Sequence, residues 1–379
     1  MAETCILPDS VGMPARTRRL RWLALDEAPD AAEYERLWRE GRHRRPHDSL
    51  GYLALVRPKH YRMAAVVYDH SDTARITYPF FWCELGELPH FAHLGSKRHI
   101  VSPYGYGGPL YEGDPAQKEA ASRCYEQSFH QLLAERSVVS EFVREDLFGD
   151  RLAMRAAGEL TVQQPNVVAR LDRGQDEIWN GYKKTLRSNI RHARGLGLRV
   201  SFDREGRHLD AFLALYYETM TRRNASEFFF MSRSRFEYLT ENLLPHGGIM
   251  FVHVHDGNDI IASELLLLGG GEIYSFLNAS HESAFQKRPN DVMRHEIMRW
   301  GQERGMHSYV LGGGVTPGDG IYRFKHGFDP DGMLPFKTRK VVHDSDAYDA
   351  LLQARRAAHN DGTGQGWQPQ PDFFPAFLS

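Results

Sequence analysis

Apolar and polar positions along the first third of the chain alternate as they do in half-buried strands. Tyr52 to Val56 (YLALV), Met63 to Tyr68 (MAAVVY) and Ile76 to Trp82 (ITYPFFW) all read as strands on this pattern. Between Pro115 and Arg136 the period changes. Ala121, Cys124, Tyr125, Phe129 and Leu132 recur at helical spacing, and Val138 to Val143 (VVSEFV) returns to a strand pattern. A similar order then begins again. Helices are predicted over Glu177–Arg194 and Leu209–Arg222, followed by strands at Ile249–His255, Ile260–Leu268 and Glu272–Leu277. The turns Asp256-Gly257-Asn258-Asp259 and Gly269-Gly270-Gly271 join these strands as antiparallel hairpins. A helix over Asp291–Arg304, with Val292, Met293, Ile297 and Trp300 on one stripe, leads through Gly305 into the strand SYVLGG. Leu334 to Val342 reads as a strand and Asp346 to Ala358 as a helix.

The fold class is therefore α/β with mixed sheets. At 379 residues the chain exceeds one typical domain, and a hydrophobic fraction of 41% supports packed cores. The sequence up to Pro165 reads as an N-terminal domain (1–165), and 166–330 as a second one. The strand and helix in 331–358 are expected to return to the first domain. The tail 359–379, rich in Gly, Pro and Gln, is expected to be irregular, with Phe373, Phe374 and Phe377 available to pin its end.

A formal charge of −2 means that a polyanionic partner has to be met by a local basic patch. Cys5, Cys83 and Cys124 form an odd set without metal or redox-pair spacing, so reduced thiols and no disulfide framework are expected. The N-terminus lacks a signal-peptide core and no run is long enough to span a membrane; a soluble, cytoplasmic protein follows as the expectation, with a monomer favoured.

The richest stretch chemically is VLGGGVTPGDGIYRFKHGF, Val310 to Phe328. Its glycines do not have the spacing of a nucleotide-binding loop. At the mouth of a strand, Gly312, Gly313 and Gly314 would instead remove side chains so that an acyl group can approach closely. Asp319 can cap a short helix whose Ile321, Phe324 and Phe328 form an apolar stripe, leaving Lys325 and Tyr322 off it. A lysine beside such a mouth suits the oxyanion of an acyl-transfer intermediate, acting as a cation. The competing reading is an ordinary surface lysine.

In DEIWNGYKKTLRSNIRHAR, Asp176 to Arg194, the cations Lys183, Arg187, Arg191 and Arg194, with Lys184 beside them, gather on one flank of the expected helix. They form either a solvated face or a footprint for phosphates. Tyr104 and Tyr106, in the turn Ser102–Tyr111, either line a substrate cleft or plug a sheet end. Tyr274 and Asn278 complete the candidate substrate contacts. His253 and His255 share a strand face, but no third ligand stands in register, so no metal is assigned.

Taken together, YGYGGP (Tyr104 to Pro109), the basic helix Trp179 to Ala193, PND (Pro289 to Asp291) and LGGG-x4-DGIYRFKHGF (Leu311 to Phe328) resemble the Fem family of aminoacyl-tRNA-dependent transferases. The resemblance runs from about Tyr52 to about Val342. It implies two GNAT-like acyltransferase domains side by side, aminoacyl-tRNA as co-substrate without a resident cofactor, and a small peptide or cell-wall precursor amine as acceptor. It also implies that Phe324-Lys325 is the family's Phe-Lys pair, the lysine assisting at the reacting carbonyl. No helical hairpin long enough for the coiled-coil arm of some members is present in the pattern. Two further functions remain open: an acyl-CoA-dependent N-acyltransferase, against which the glycine-free connection Asn278–Asp291 speaks, and an RNA-binding protein without catalysis.

Overall fold

The computed structural model describes residues 20–149, 151–152, 158–314, 316, 318–358, 366–371 and 373–379. The chain divides into two compact units, one made of residues 1–37, 57–162 and 337–379, the other of 38–56 and 163–336.

The first unit contributes β1 (Leu20–Ala24), β2 (Arg62–Ser71), β3 (Ala74–Glu84), β4 (Arg98–Val101), β5 (Leu110–Gly113), β6 (Val138–Arg144) and β7 (Glu159–Val162). Of the helices, α1 (Ala28–Glu40) contains the unit boundary, α2 (Leu50–Val56) belongs to the second unit and α3 (Lys118–Glu135) to the first. The second unit continues with β8 (Asn166–Arg170), α4 (Gln175–Gly181), α5 (Lys184–Gly195), β9 (Arg199–Asp203), α6 (Leu209–Arg222) and α7 (Arg233–Leu243). Then come β10 (Ile249–Asp256), β11 (Asp259–Gly269), β12 (Glu272–Ser280), α8 (Pro289–Gln302), β13 (Ser308–Gly312), α9 (Gly320–Lys325) and β14 (Met333–Leu334). Finally β15 (Lys337–Val342) and α10 (Ser345–Ala358) rejoin the first unit.

The two sheets repeat one plan. The first has the order β1-β2-β3-β4-β6-β15-β7, with β5 beside β3, and the second β14-β8-β13-β12-β11-β10-β9. Each is antiparallel except for one parallel pair, β4 with β6 and β12 with β13. A parallel pair needs a crossover, and α3 and α8 respectively supply it.

In the first unit, α3 lays Ala121, Cys124, Tyr125 and Phe129 on the sheet against Val66, Ile76, Tyr78 and Phe80. The helical spacing of those residues in the sequence is the reason the helix has one buried face. In the second unit, Leu186, Ile190 and Ala193 of α5 join Val292, Met293 and Ile297 of α8 in one core.

Several expectations are corrected. Tyr52 to Val56 is not a strand but the body of α2, started by Ser49, whose hydroxyl accepts the Tyr52 N–H at 3.2 Å. Leu50, Tyr52, Leu53, Leu55 and Val56 are all buried, so periodicity could not separate helix from strand there. The single helix expected over Glu177–Arg194 is two, with Tyr182 and Lys183 in extended backbone between them. Segment 38–56, read as part of domain 1–165, clusters with the second unit, where α2 packs on α7 and Arg45 bonds Glu272 and Tyr274, both at 2.8 Å. Cys83 is a buried free thiol and Cys5 lies outside the described residues, whereas Cys124 is disulfide-bonded, against the expectation of reduced thiols. In the tail, Phe377 is fully buried against Phe91 and Tyr348, while Phe373 is exposed. Among the described residues no helix is long and apolar enough to cross a membrane.

Candidate active site

The parallel ladder between β12 and β13 is short. It pairs Glu272 to Tyr274 with Ser308 to Val310, and beyond that point the two strands share no further pairs. On its other side β13 shifts register against β8 between Val310 and Gly312. Gly312 adopts φ +78°, a conformation that suits glycine, and a Cβ there would sit 3.5 Å from Lys325 Nζ. The glycines thus open the carboxyl end of a parallel strand pair, a common place for ligands in such sheets.

Lys325 reaches that opening from α9. Asp319 starts this helix by accepting the Tyr322 N–H at 2.7 Å. A Cβ on Gly314 would collide with the same Asp319 carboxylate. Lys325 Nζ donates to the Gly313 carbonyl at 2.7 Å. Burial, the first cause, and then the nearby Arg294 guanidinium lower its pKa to about 8; the carboxylates of Glu264 and Asp319 oppose the shift, and Arg223 adds to it.

Beneath the lysine lies a buried polar network that the sequence reading missed. Glu264, fully buried on β11, accepts from the Tyr309 hydroxyl at 2.7 Å and from the Ser275 hydroxyl. Arg294 of α8, 4% exposed, stands 3.5 Å from the Glu264 carboxylate, with its guanidinium 5.1 Å from the centre of the Phe324 ring. Arg294 Nε has no hydrogen-bond partner among the described residues. Asn278 joins the network, bonding Asn290 at 3.0 Å and Glu264 at 3.5 Å. One sequence signal for this was available: a lone glutamate in the apolar run IIASELLLL.

The other candidates are placed as follows. Phe324 packs beside Lys325 against Phe328 and under Arg294. Tyr322 turns away: its hydroxyl meets Met333 Sδ at 2.9 Å and its ring stacks on His326. Gly313 makes room for Asn166, whose Oδ1 would lie 3.0 Å from a Cβ. Tyr274 sits at the opposite end of β12 from Asn278, its hydroxyl taken by Arg45. Tyr104 and Tyr106 lie in the first unit, in the loop between β4 and β5; Tyr104 is 39% exposed, whereas Tyr106 is buried.

The basic flank of α5 is largely engaged with its own protein. Arg187 donates to the carbonyls of Asn180 at 2.8 Å and Tyr182 at 2.7 Å, tying down the end of α4. Lys183 meets His326 Nδ1 at 3.2 Å, Arg191 covers Trp179, and Arg194 pairs with Glu296 at 2.6 Å. Lys184 is exposed.

His253 and His255 are likewise accounted for, by Ser263 at 2.8 Å and Ser201 at 2.7 Å. Asp203 lies 3.6 Å from the other nitrogen of His253. This resembles a nucleophilic triad, but Ser263 and His253 are fully buried, so the serine has no access to a substrate.

The fold and part of the chain have counterparts among known proteins. A model of the acetyltransferase (GNAT) domain matches residues 180–326, which include β12, β13 and Lys325. The crystal structure of FemX superposes with a TM-score of 0.63 at 15% identity, covering 84% of this chain and 97% of that one. The C-terminal domain of a protein named as a lysylphosphatidylglycerol synthetase from Agrobacterium fabrum gives a TM-score of 0.52 at 15% identity, over 86% and 96% of the two chains. A conserved protein of unknown function from Bacteroides thetaiotaomicron gives 0.51 at 9% identity, over 86% and 100%. No curated protein matches the sequence. The chain thus has a FemX-like fold, and its residues 180–326 are similar to the acetyltransferase (GNAT) domain.

Proposed function

We propose that this acyltransferase takes its acyl group from aminoacyl-tRNA and forms an amide with the amine of a peptide-like acceptor, a cell-wall precursor or a peptide natural product. The observation that carries this reading is Lys325, held at the glycine-lined end of β13 in the Phe-Lys motif that resembles the Fem pattern. The amine nitrogen attacks the ester carbonyl, the bond to the ribose oxygen breaks, and the freed hydroxyl takes a proton as the amine loses one. The ester is already activated, so the site needs orientation and a cation for the developing oxyanion. Lys325 is that cation, since a pKa of about 8 leaves it mostly protonated at neutral pH.

A second reading, transfer from an acyl-CoA, is favoured by the GNAT domain match. Such enzymes cradle the pyrophosphate on free N–H groups at a helix start. Here the start of α8 fits that group poorly. Pro289 has no N–H to offer, the Asp291 and Val292 N–H groups bond the Arg288 carbonyl, and the buried Asp291 carboxylate already stands there, bonded by Asn189 at 2.9 Å.

The test is to mix the protein with tRNA charged with labelled amino acids and a panel of amine acceptors, with acetyl-CoA supplied in parallel. Label transfer that RNase abolishes is the expected result. Acylation from acetyl-CoA with none from tRNA would overturn the reading.

A further inference from the structure

A second charged region lies in the same unit, at the opposite end of β12 from Asn278. Glu272 and Asn278 are six positions apart along the strand, which amounts to about 20 Å. A cavity of about 460 Å³ opens there, lined among others by Arg42, His43, Arg44, Arg204 and His246. No aspartate or glutamate is among its lining residues.

The cavity is built by a strap of chain drawn over the β11–β12 turn. Arg45 turns inward, is 3% exposed, and is neutralised by Glu272 at 2.8 Å. Its neighbours Arg42 and Arg44 are exposed. Arg44 is held at φ +35°, in the left-handed region that a non-glycine residue adopts only where its surroundings enforce it. The close approach depends on glycine. A Cβ on Gly269 would lie 2.8 Å from the Arg44 carbonyl, and one on Gly270 2.9 Å from Arg45 Cζ. On the far wall, Arg204 rests 5.4 Å from the Trp300 ring centre. That ring is also covered by Arg304 at 4.5 Å and stacked on Phe202, so it positions guanidinium groups and leaves no open face for a base.

We infer that this cavity is a docking site for the phosphate backbone of an RNA. Clustered cations without a carboxylate among the lining residues, beside a Trp300 ring that is already covered, suit phosphates rather than bases. The inference rests on the proposed use of an RNA-borne donor. It moves the phosphate footprint from α5, where Arg187 and Arg194 are engaged internally, to the strap and the β9 end.

The test measures binding of uncharged total tRNA against salt concentration. The proteins compared are the wild type, the triple variant Arg42→Glu, Arg44→Glu, Arg204→Glu, and a double variant of α5, Lys184→Glu, Arg191→Glu. The strap variant is expected to weaken binding at least about 10-fold and to flatten the salt slope by about 2 to 3, close to one unit per lost phosphate contact. The α5 variant should bind as the wild type does. Unchanged affinity and slope in the strap variant, or the whole loss in the α5 variant, would overturn the proposal. So would AMP competing at the affinity of tRNA, because the site would then read a free nucleotide. If the triple variant fails to fold, Arg42→Gln and Arg44→Gln singly should each flatten the slope by about one. Label transfer by the wild type is scored separately. A protein that binds tRNA through the strap yet transfers nothing refutes the transferase reading and leaves the docking site standing; transfer unaffected by the strap variant does the reverse.

Discussion

The two positively charged regions marked in the sequence, α5 and the Lys325 turn, have opposite fates. On α5 the charges are at the surface, and most are matched by a carbonyl, a ring or a carboxylate of the same chain. At Lys325 the charge is drawn partly inward, beside the buried cation Arg294, with Glu264 as the buried carboxylate paired to Arg294. Matched cations hold the fold together. Like charges gathered near one another are costly, and such cost is tolerated where a ligand or a developing charge will meet them.

That contrast can be broken by substitution, the largest effect first. Removing Glu264 leaves Arg294 buried without its counter-charge and strands Tyr309 and Ser275. Glu264→Ala should therefore cost about 3 to 5 kcal/mol in a urea unfolding experiment, and a loss below about 1 kcal/mol would show that Arg294 has other support. Next comes Lys325→Ala, expected to lower turnover by about 10² to 10³ once an acceptor is in hand.

Lys325 also carries a stability signature. Its folded pKa of about 8 lies below the ordinary 10.5, so the folded protein gives up this proton first. The buried charge costs stability below about pH 8, and the cost is relieved as the pH rises from 8 towards 10.5. Lys325→Met should thus be more stable than wild type at pH 7, with the advantage shrinking above pH 8; a destabilised variant at pH 7 would contradict the assignment.

Smaller effects belong to α5. Arg187→Ala removes the bonds that hold the end of α4 and should cost about 1 to 2 kcal/mol in stability while leaving tRNA affinity unchanged. Lys184→Ala, at an exposed position, should change stability by less than about 0.5 kcal/mol.

Much of the fold was legible because short apolar runs bounded by turn residues mark its strands and helical periodicity marks α6. β2, β3, β10 to β12 and α6 fall where the periodicity placed them. The failures have local causes. In α2 five of the seven residues are buried and apolar, which erases the period. Between α4 and α5 the apolar stripe continues through Tyr182, so the pattern hides the break in the backbone at Lys183.

The site was legible only in part. Lys325 and its glycines lie within one short stretch and could be joined by inspection. Glu264, Arg294 and Tyr309 lie on three different elements and are brought together by the order β11-β12-β13 with α8 laid across it. The same limit explains α5, whose arginines display their charge in the sequence but not their partners.

The central claim is that Lys325 works as a cation on the reacting carbonyl. The direct measurement is the ratio of kcat/KM for wild type to that for Lys325→Ala across pH 6 to 10, since the acceptor amine's own ionisation cancels in the ratio. The account predicts a ratio that is flat at low pH and falls through about pH 8 as Lys325 loses its proton. A ratio that rises through pH 8 would show that the neutral amine is the active form and would contradict the account.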